Sequence, residues 1–496
     1  MLPGDVDRAC LGASCKELHA ASPRWFPQIS TWMSPGEEDV AQSLAAWLQR
    51  YRVPAELDLV ARLEIERGGA RPSIGCVLHV LSRSAAATAC IKVLTGGDML
   101  AVRPALLPSF AALRRLELAP SCHLEGNVQP LWQPTGLQVL ALPGCFSERH
   151  YSSTEGSWDG LSRLSALREL RLDDCVHAEA VISQLSALTA LTALQLATFV
   201  DEPVDGDEAP GLSPTCQWCN FTGLCQLRSL HLAYLEHDPP MTEHPFMRQL
   251  SALAGSLQRL HLGAFQVDTI PAELSSCTAL SELDIRGAES DYPGAITGKG
   301  LKALAGLTRL ETLMLTACWL WDSATSLAPL ASLTRLELRE VFELGRGALF
   351  YQGLSVLRRL RQLSFDGCCQ VWGFQAFSVL TALTYLSNTG PEEGCDPEGV
   401  GTLTQLRELA LMDRWLKEVP KDLTTLPALM RLDLSENPIG MAGWKRLRRL
   451  QSLASLDVRK CRLVAVPSSF SRLQGLTHLS LRATISLLDF AYLVPW

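Results

Sequence analysis

The sequence predicts an α/β solenoid, in which short parallel strands stack side by side and a helical or irregular segment returns from each strand to the next. Three observations predict this fold. The pattern Leu-x-x-Leu-x-Leu, in four copies with another residue at the last position, occurs fifteen times, beginning at Leu113. From Leu360 onward the copies recur every 23 or 24 residues. Of the 496 residues, 47% are apolar but only 7% are aromatic, which suits many small repeated core positions better than one irregular core.

Each copy of the pattern predicts one short strand. Residues alternate in and out along a strand, so the leucines point inward while the residues between them face solvent. One copy cannot bury its own leucines, and neighbouring copies must therefore stack. The fourteen copies after the first begin at Leu137, Leu167, Leu191, Leu227, Leu257, Leu280, Leu310, Leu333, Leu360, Leu383, Leu406, Leu429, Leu453 and Leu476.

The most regular copy runs from Leu429 to Ile439 and reads Leu-Met-Arg-Leu-Asp-Leu-Ser-Glu-Asn-Pro-Ile, with Asn437 at the ninth position. This segment resembles the leucine-rich-repeat consensus. The resemblance implies a right-handed leucine-rich-repeat solenoid, or horseshoe, with a parallel β-sheet on its concave face. In that family the ninth residue bonds the backbone of the neighbouring coil, and cysteine can replace asparagine. Here that position is also occupied by Cys145, Cys175, Cys318, Cys368 and Cys461.

The N-terminal segment resembles a different motif. Leu11, residues 15–22 and residues 24–29 are similar to the second half of an F-box, which often precedes leucine-rich repeats in ubiquitin-ligase substrate receptors. The alternative is a helical cap on the solenoid. The sequence thus predicts a partial F-box-like or cap segment over 1–35, a cap of helices and degenerate repeats over 36–112, about fifteen leucine-rich repeats over 113–484 and an apolar tail over 485–496.

Within the predicted cap, three segments have a recognisable pattern. Val40, Leu44, Trp47, Leu48 and Tyr51 follow helical spacing, which predicts a helix that packs this stripe into the core. Residues 73–81 predict a second helix. Residues 63–65 and 89–94 are read as degenerate strands.

The net charge and the first residues of the sequence indicate which compartment and which kind of partner to expect. The formal net charge is −8, which argues against a general affinity for nucleic acid. Residues 1–8 contain no basic segment leading into an apolar run, and no stretch approaches the roughly 20 apolar residues that span a bilayer. We therefore expect reduced cysteines and a cytoplasmic protein with no nucleic-acid or membrane partner. A cytoskeletal or axonemal location in the cilium, or a nuclear one, is the alternative.

No catalytic motif is present in the sequence. It contains no Gly-x-Ser-x-Gly, no phosphate-binding glycine loop and no His-Glu-x-x-His. Cys216, Cys219 and Cys225 are one ligand short of a compact zinc site. We therefore expect a protein that is not an enzyme and that carries no cofactor and no metal.

The resemblance implies a non-enzymatic protein–protein interaction scaffold. With the F-box-like segment, the finer hypothesis is the substrate-recognition subunit of a cullin-RING (SCF-type) ubiquitin ligase that binds its adaptor through the N-terminus. The alternative is a structural component of a cytoskeletal or axonemal assembly.

In the leucine-rich-repeat family, residues at the third, fifth and seventh positions of the motif line the concave face. Charges of both signs interleave there, which suits a protein surface better than a polyanion. The residues predicted to bind a partner are Glu282, Asp284, Arg286, Met314, Arg335, Glu337 and Arg339. A second candidate is the rim after the strands, where aromatic residues occupy the tenth position and would either bind a partner or pack between coils: Trp319, Phe342 and Trp415.

Overall fold

The chain divides into two compact units, Met1–Leu235 and Glu236–Trp496, called the first and the second unit below. The computed structural model describes residues 29–33, 37–59, 75–96, 100–120, 122–145, 158–173, 178–197, 221–233, 245–265, 270–287, 295–297, 303–317, 319–321, 329–341, 354–368, 374–390, 399–461, 463 and 465–481.

The first unit is built on parallel strands. Its strands are β1 (Ile29–Met33), β2 (Ala55–Leu59), β3 (Ile91–Gly96), β4 (Ala101–Val102), β5 (Arg115–Leu118), β6 (His123–Leu124), β7 (Val139–Ala141), β8 (Glu169–Asp173), β9 (Ala193–Ala197) and β10 (Ser229–Ala233). Strand β4 pairs with β6, and the others pair in chain order. The described α-helices are α1 (Glu38–Tyr51), α2 (Gly75–Ser82), α3 (Ala85–Cys90) and α4 (Ala178–Leu185).

The second unit continues the same plan with parallel strands in chain order. They are β11 (Arg259–Phe265), β12 (Glu282–Gly287), β13 (Ala295–Thr297), β14 (Thr312–Thr316), β15 (Trp319–Trp321), β16 (Arg335–Arg339), β17 (Gln362–Asp366), β18 (Tyr385–Thr389), β19 (Glu408–Ala410), β20 (Arg431–Asp433), β21 (Ser455–Asp457) and β22 (His478–Ser480). Strand β13 pairs only with β15, as a small separate sheet. The rest form one ladder.

All fifteen copies of the leucine motif coincide with a strand of one of the two main ladders, which confirms the predicted α/β leucine-rich-repeat solenoid. Strand β16 shows why the register is fixed. Leu333, Leu336 and Leu338 are at most 1% exposed, because they point into the coil. Neighbouring strands pair residue for residue, so equivalent motif positions stand side by side. The third, fifth and seventh positions lie on the opposite side of the sheet, which we call the open face.

The ninth motif position links successive coils, as the resemblance implied. The Asn437 amide nitrogen donates to the carbonyl of Leu411, 2.7 Å away in the preceding coil. The Cys461 thiol donates in the same way to the Leu434 carbonyl at 3.1 Å. Cys368 repeats the contact with Leu338, also at 3.1 Å. Buried cysteine and asparagine are therefore structural residues at this position. Cys175 and Cys318 lie outside the described residues, and Cys145 is buried.

The segments that return from strand to strand are mostly 3-10 helices. Two of them are Leu161–Arg163 and Ser468–Arg472, which agree with the helical return segments expected between strands. A segment this short closes a 3-10 turn more readily than an α-helix. The remaining described 3-10 helices are Pro104–Ser109, Gln129–Trp132, Pro245–Leu253, Ala272–Ser276, Ala303–Gly306, Phe374–Val379, Val400–Thr402, Lys421–Thr425 and Met441–Arg449.

The N-terminal helices agree with the sequence in position but not fully in burial. Helix α1 covers the predicted apolar stripe, yet the residues it buries are Ala41, Ala45 and Leu48. Val40 is 47% exposed, so the prediction that the whole stripe packs into the core is wrong there. Helix α2 matches the second predicted helix and β3 matches the strand predicted over 89–94. The strand predicted over 63–65 lies outside the described residues.

The first and last parts of the chain are described only in part. Residues 1–28, which carry the F-box resemblance, and the tail 485–496 lie outside the described residues. Strand β1 follows that resemblance directly and joins the sheet through β2. At the other edge, Leu479 of β22 is 40% exposed, because no described strand follows it. Among the described residues, no helix is long and apolar enough to cross a membrane.

Candidate functional site

The seven open-face residues predicted to bind a partner lie on three adjacent strands of the second unit, β12, β14 and β16. Residue pairing aligns Asp284 with Met314 and Met314 with Glu337, so these three form one row across the sheet. Parallel strands lie about 4.8 Å apart, which puts Asp284 and Glu337 about 10 Å from each other. We call the seven residues the central patch: Glu282, Asp284, Arg286, Met314, Arg335, Glu337 and Arg339.

Glu337 holds an arginine on each side along its own strand. Its side chain is only 9% exposed. The Nε atom of Arg335 donates to Oε1 at 2.6 Å, and Nη2 of the same arginine also contacts this oxygen. Nη2 of Arg339 donates to Oε2 at 3.0 Å. Because both carboxylate oxygens are used, the two guanidinium groups are held at either end of β16.

Asp284 makes a related but incomplete arrangement on β12. Its side chain is 2% exposed. Oδ2 accepts from Nε and Nη2 of Arg286 at 3.3 and 3.2 Å, and it lies 2.8 Å from Nδ1 of His261 on β11. Oδ1 is buried and has no hydrogen-bond partner among the described residues. A buried acceptor without a donor costs free energy in the folded protein.

Met314 lies between these two groups and gives the central patch an apolar centre. Its side chain is partly exposed, and the threonines before and after it on the open face, Thr312 and Thr316, are partly exposed as well. A flexible thioether adapts to partners of different shape. The central patch therefore combines an adaptable apolar contact with charged groups on both sides.

A row of hydroxyl groups borders the central patch on β17 and β18. Asp366 accepts from the hydroxyls of Ser364 (2.6 Å), Ser387 (2.5 Å) and Thr389 (2.8 Å). Ser364 and Ser387 are buried on the open face. Burial raises the pKa of the neighbouring Tyr385 phenol, and a hydrogen bond with Ser387 opposes that shift. Asp366 and Tyr385 occupy the seventh and third motif positions, which were predicted to line this face, but the hydrogen bonds of the hydroxyl groups depend on contacts between strands that the motif does not specify.

The central patch differs from the other ion pairs in how deeply its carboxylates are buried. The carboxylate side chains of Asp284 and Glu337 are 2% and 9% exposed, whereas the acid of every other described ion pair is at least 23% exposed. The three arginines of the patch remain 45–53% exposed. A molecule that approaches these ion pairs therefore meets guanidinium groups before their carboxylates, and the third acid of the patch, Glu282, is partly exposed beside them.

The rim candidates are only partly placed. Trp415 follows β19 with a backbone φ of 53° and is 49% exposed, so about half of its surface is open to solvent and half is covered. Trp319 lies in β15, but its side chain is outside the described residues, as is the whole of Phe342.

The cysteines with possible chemistry fall into two groups. Cys461 is buried, and this burial raises its pKa to about 11, so it is a protonated structural thiol at neutral pH. Cys225 is exposed, while Cys216 and Cys219 lie outside the described residues. In the part of the chain that the structure describes, no three His, Cys, Asp or Glu side chains are arranged to hold a metal ion.

Comparison with known proteins identifies the fold. No protein-family model and no curated protein sequence matches the chain. Among solved structures, a leucine-rich-repeat protein of Leptospira interrogans is 20% identical with a TM-score of 0.50, over 78% of this chain and 88% of that one. An internalin of Listeria monocytogenes is 19% identical with a TM-score of 0.40, over 75% and 82% of the two chains. At 20% identity the likeness to the Leptospira protein shows the fold alone, that of a leucine-rich-repeat solenoid.

Proposed function

We propose that this protein is a non-enzymatic scaffold that binds a partner protein on the open face of its second unit. The observation that carries the proposal is the central patch, where two buried carboxylates hold three half-exposed arginines around Met314. Side chains held in place lose less conformational freedom on binding than mobile ones do. Arginine and adaptable apolar side chains are also the residue types that dominate protein interfaces.

The size of the face supports a protein as the partner. Ten strands of the second unit form one ladder, which at about 4.8 Å a strand extends over roughly 45 Å. A specific interface takes about 800 Å² from each partner. A sheet face of this length supplies that area without any contribution from the first unit.

Co-purification with a blocking variant tests the proposal. Thr316 lies on the open face between Arg286 and Arg339, and Thr316→Trp would obstruct the central patch. Ala305 is exposed in the 3-10 helix that precedes the same strand, so Ala305→Trp adds the same bulk on the other side. We expect one set of proteins to co-purify with the wild type and Ala305→Trp and to be lost with Thr316→Trp. Equal recovery with all three proteins would refute the proposal.

The substrate-receptor role in a ubiquitin ligase is a finer form of the same proposal. It is supported by the F-box-like sequence over residues 11–29, which is followed at once by strand β1. The N-terminal segment would then bind the ligase adaptor while the open face binds the substrate. Removing residues 1–28 leaves β1 in the chain. Adaptor and cullin should co-purify with the intact chain and not with the shortened one; their absence from both would exclude this role.

The alternative role is a structural subunit of a cytoskeletal or axonemal assembly, in which the same face would contact one permanent neighbour. Co-sedimentation of the purified protein with microtubules or axonemes, lost with Thr316→Trp, would favour this alternative. If the protein stays in the supernatant, the structural role fails and the scaffold proposal is unchanged.

A further inference from the structure

The arrangement of charge in the central patch indicates what kind of protein surface it fits. We infer that the patch recognises an acidic segment of the partner, with Arg286, Arg335 and Arg339 donating hydrogen bonds to its carboxylates. This inference rests on the proposed function and specifies the partner. It is based on how deeply the charged groups of the ion pairs are buried. The carboxylates of Asp284 and Glu337 are at most 9% exposed, whereas the three arginines that they hold are 45–53% exposed.

The arginines keep donors available for a ligand. Arg286 uses Nε and Nη2 on Asp284, Arg335 uses Nε and Nη2 on Glu337, and Arg339 uses Nη2. No hydrogen bond among the described residues engages Nη1 of any of the three. Since a guanidinium group has five N–H donors in a planar fork, each arginine can hold its internal acid and still bind a carboxylate.

The internal acids make the arginines better receptors for anions. A free surface arginine loses about 2 kcal/mol of rotamer freedom when it is fixed. Here part of that ordering already exists in the unbound protein, because Glu337 and Asp284 fix the orientation of the guanidinium groups. Both acids are too deeply buried for a partner to reach, so the groups of these ion pairs that a partner can contact are the N–H donors of the arginines.

The spacing and the centre of the patch favour a peptide segment. Arg286 and Arg339 occupy the same motif position on β12 and β16, with β14 between them. At about 4.8 Å between strands they stand about 10 Å apart, which suits two carboxylates of one segment. Partly exposed Met314 lies between them and would contact an apolar side chain or the backbone of the same segment.

The rest of the molecule argues for a protein acid over a nucleic acid. The chain carries a net charge of −8, and the open face outside the patch presents partly exposed acids such as Glu408 and Asp457. A nucleic acid needs a continuous basic track for its phosphates, and here the arginines alternate with acids, as where Asp366 on β17 stands beside Arg339. A short acidic segment needs only the remaining N–H donors of two arginines.

Fluorescence anisotropy with defined probes tests the inference on the full chain. The probes are a fluorescein-labelled oligoglutamate, a matched Gly-Ser peptide and a single-stranded oligouridine. We expect oligoglutamate to bind, the Gly-Ser peptide not to bind, and affinity to fall as salt is raised from about 50 to 200 mM. The variant Arg286→Gln/Arg339→Gln should weaken oligoglutamate binding about tenfold, which corresponds to about 1.4 kcal/mol.

A matched double variant provides the control. Arg431→Gln/Arg459→Gln removes two arginines from the same open face, where each is paired with a more exposed acid. It should change the affinity less than about twofold. Arg335 stays on Glu337 and His261 stays beside Asp284 in the test variant, so neither acid is left alone; equal thermal unfolding of both variants would verify folding.

Three results would overturn the inference. The first is that oligoglutamate does not bind, and the second is that both double variants weaken its binding equally. The third is that oligouridine binds more tightly than oligoglutamate through the same two arginines. The last result would assign the patch to nucleic acid. The proposed function is judged separately by the Thr316→Trp co-purification. If Thr316→Trp loses co-purifying proteins but oligoglutamate does not bind, the open face is still a binding surface and the inference of an acidic partner is wrong.

Discussion

The two ends of the second unit's main sheet bury their charged groups in different places. Around β12–β16 the buried charged residues that the structure describes are Asp284 and Glu337, both on the open face. Around β19–β21 the buried charged residue is Arg414 at the ninth motif position, which Asn437 occupies in the next copy, beneath the strand ends. In the second region the ion pairs on the open face keep their acids exposed, as in Arg431–Glu408.

The buried polar groups of the two regions make different kinds of contact. The Asn437 side-chain oxygen accepts from the backbone N–H groups of Arg414 and Leu416 at 3.0 Å each, and its nitrogen donates to three carbonyls. Both polar atoms of the amide are therefore hydrogen-bonded inside the coil. Asp284 and Glu337 instead fix side chains that point to solvent. Burying these acids costs desolvation free energy, which a purely structural sheet would avoid by keeping them exposed. The β12–β16 region is therefore where we propose that the partner binds.

The largest predicted effect is at the ninth motif position, where Asn437 and Cys461 are buried. Asn437→Ala removes every hydrogen bond of the amide and leaves two N–H groups and a carbonyl unsatisfied, so we expect unfolding to be easier by about 4 kcal/mol. Cys461→Ala removes a single thiol contact at the equivalent position and should cost about 1–2 kcal/mol. Urea denaturation followed by circular dichroism measures both. Equal losses would show that the ninth residue contributes only packing.

The second prediction concerns thiol reactivity. Burial raises the pKa of Cys461 to about 11 from an ordinary 9.0. Iodoacetamide at neutral pH should therefore modify exposed Cys225 at least about 100-fold faster than Cys461, since the thiolate is the reactive form. Mass spectrometry of a labelling time course measures both rates.

The same shift has a consequence for stability. The folded pKa is the higher one, so the protonated thiol contributes stability fully below about pH 9, and this contribution is lost as the pH rises towards 11. Comparable labelling rates for Cys461 and Cys225 in the folded protein would contradict the burial of Cys461 at the ninth motif position.

The third prediction compares acids on the two halves of the face. Glu337→Gln weakens charge-assisted bonds to two arginines and should lower the free energy of unfolding by about 1 kcal/mol. Glu408→Gln removes an exposed pair and should change it by less than about 0.5 kcal/mol. Thermal and urea unfolding give the two values. Indistinguishable losses would mean that depth of burial does not set the two regions apart.

The smallest predicted effect is at the rim. Trp415 is 49% exposed, so Trp415→Ala should change the free energy of unfolding by less than about 0.5 kcal/mol. Trp444 is fully buried in a 3-10 helix, and Trp444→Ala should cost about 3–5 kcal/mol. A large loss from Trp415→Ala would show that this ring packs against the coil and is not available to a partner.

Much of the fold follows from the sequence because the repeat specifies it locally. The inward leucines recur in phase, so every motif copy predicted its strand and its open-face positions. The ninth-position cysteines were likewise predictable from the motif. Arg414 departs from the pattern, since a buried guanidinium occupies a position where the motif has Asn or Cys. Nothing in the repeat foretells it.

The candidate site was predicted as a set of positions but not as a structure. Arg335, Glu337 and Arg339 alternate along one strand, a pattern that indicates pairing within the strand. How deeply Glu337 and Asp284 are buried depends on the side chains of neighbouring strands, such as His261 beside Asp284. Those contacts join residues 23 or more positions apart, and a motif read along the chain does not contain them.

Site-specific photo-cross-linking tests the central claim most directly. A benzophenone amino acid placed at Thr312 lies on the open face between Glu282 and Arg335, and one at Ala305 lies on the opposite side of the same coil. Irradiation of the native cell should give a covalent adduct with a partner protein from Thr312 and none from Ala305. Adducts of equal yield from both positions, or from Ala305 alone, would contradict a binding surface on the open face.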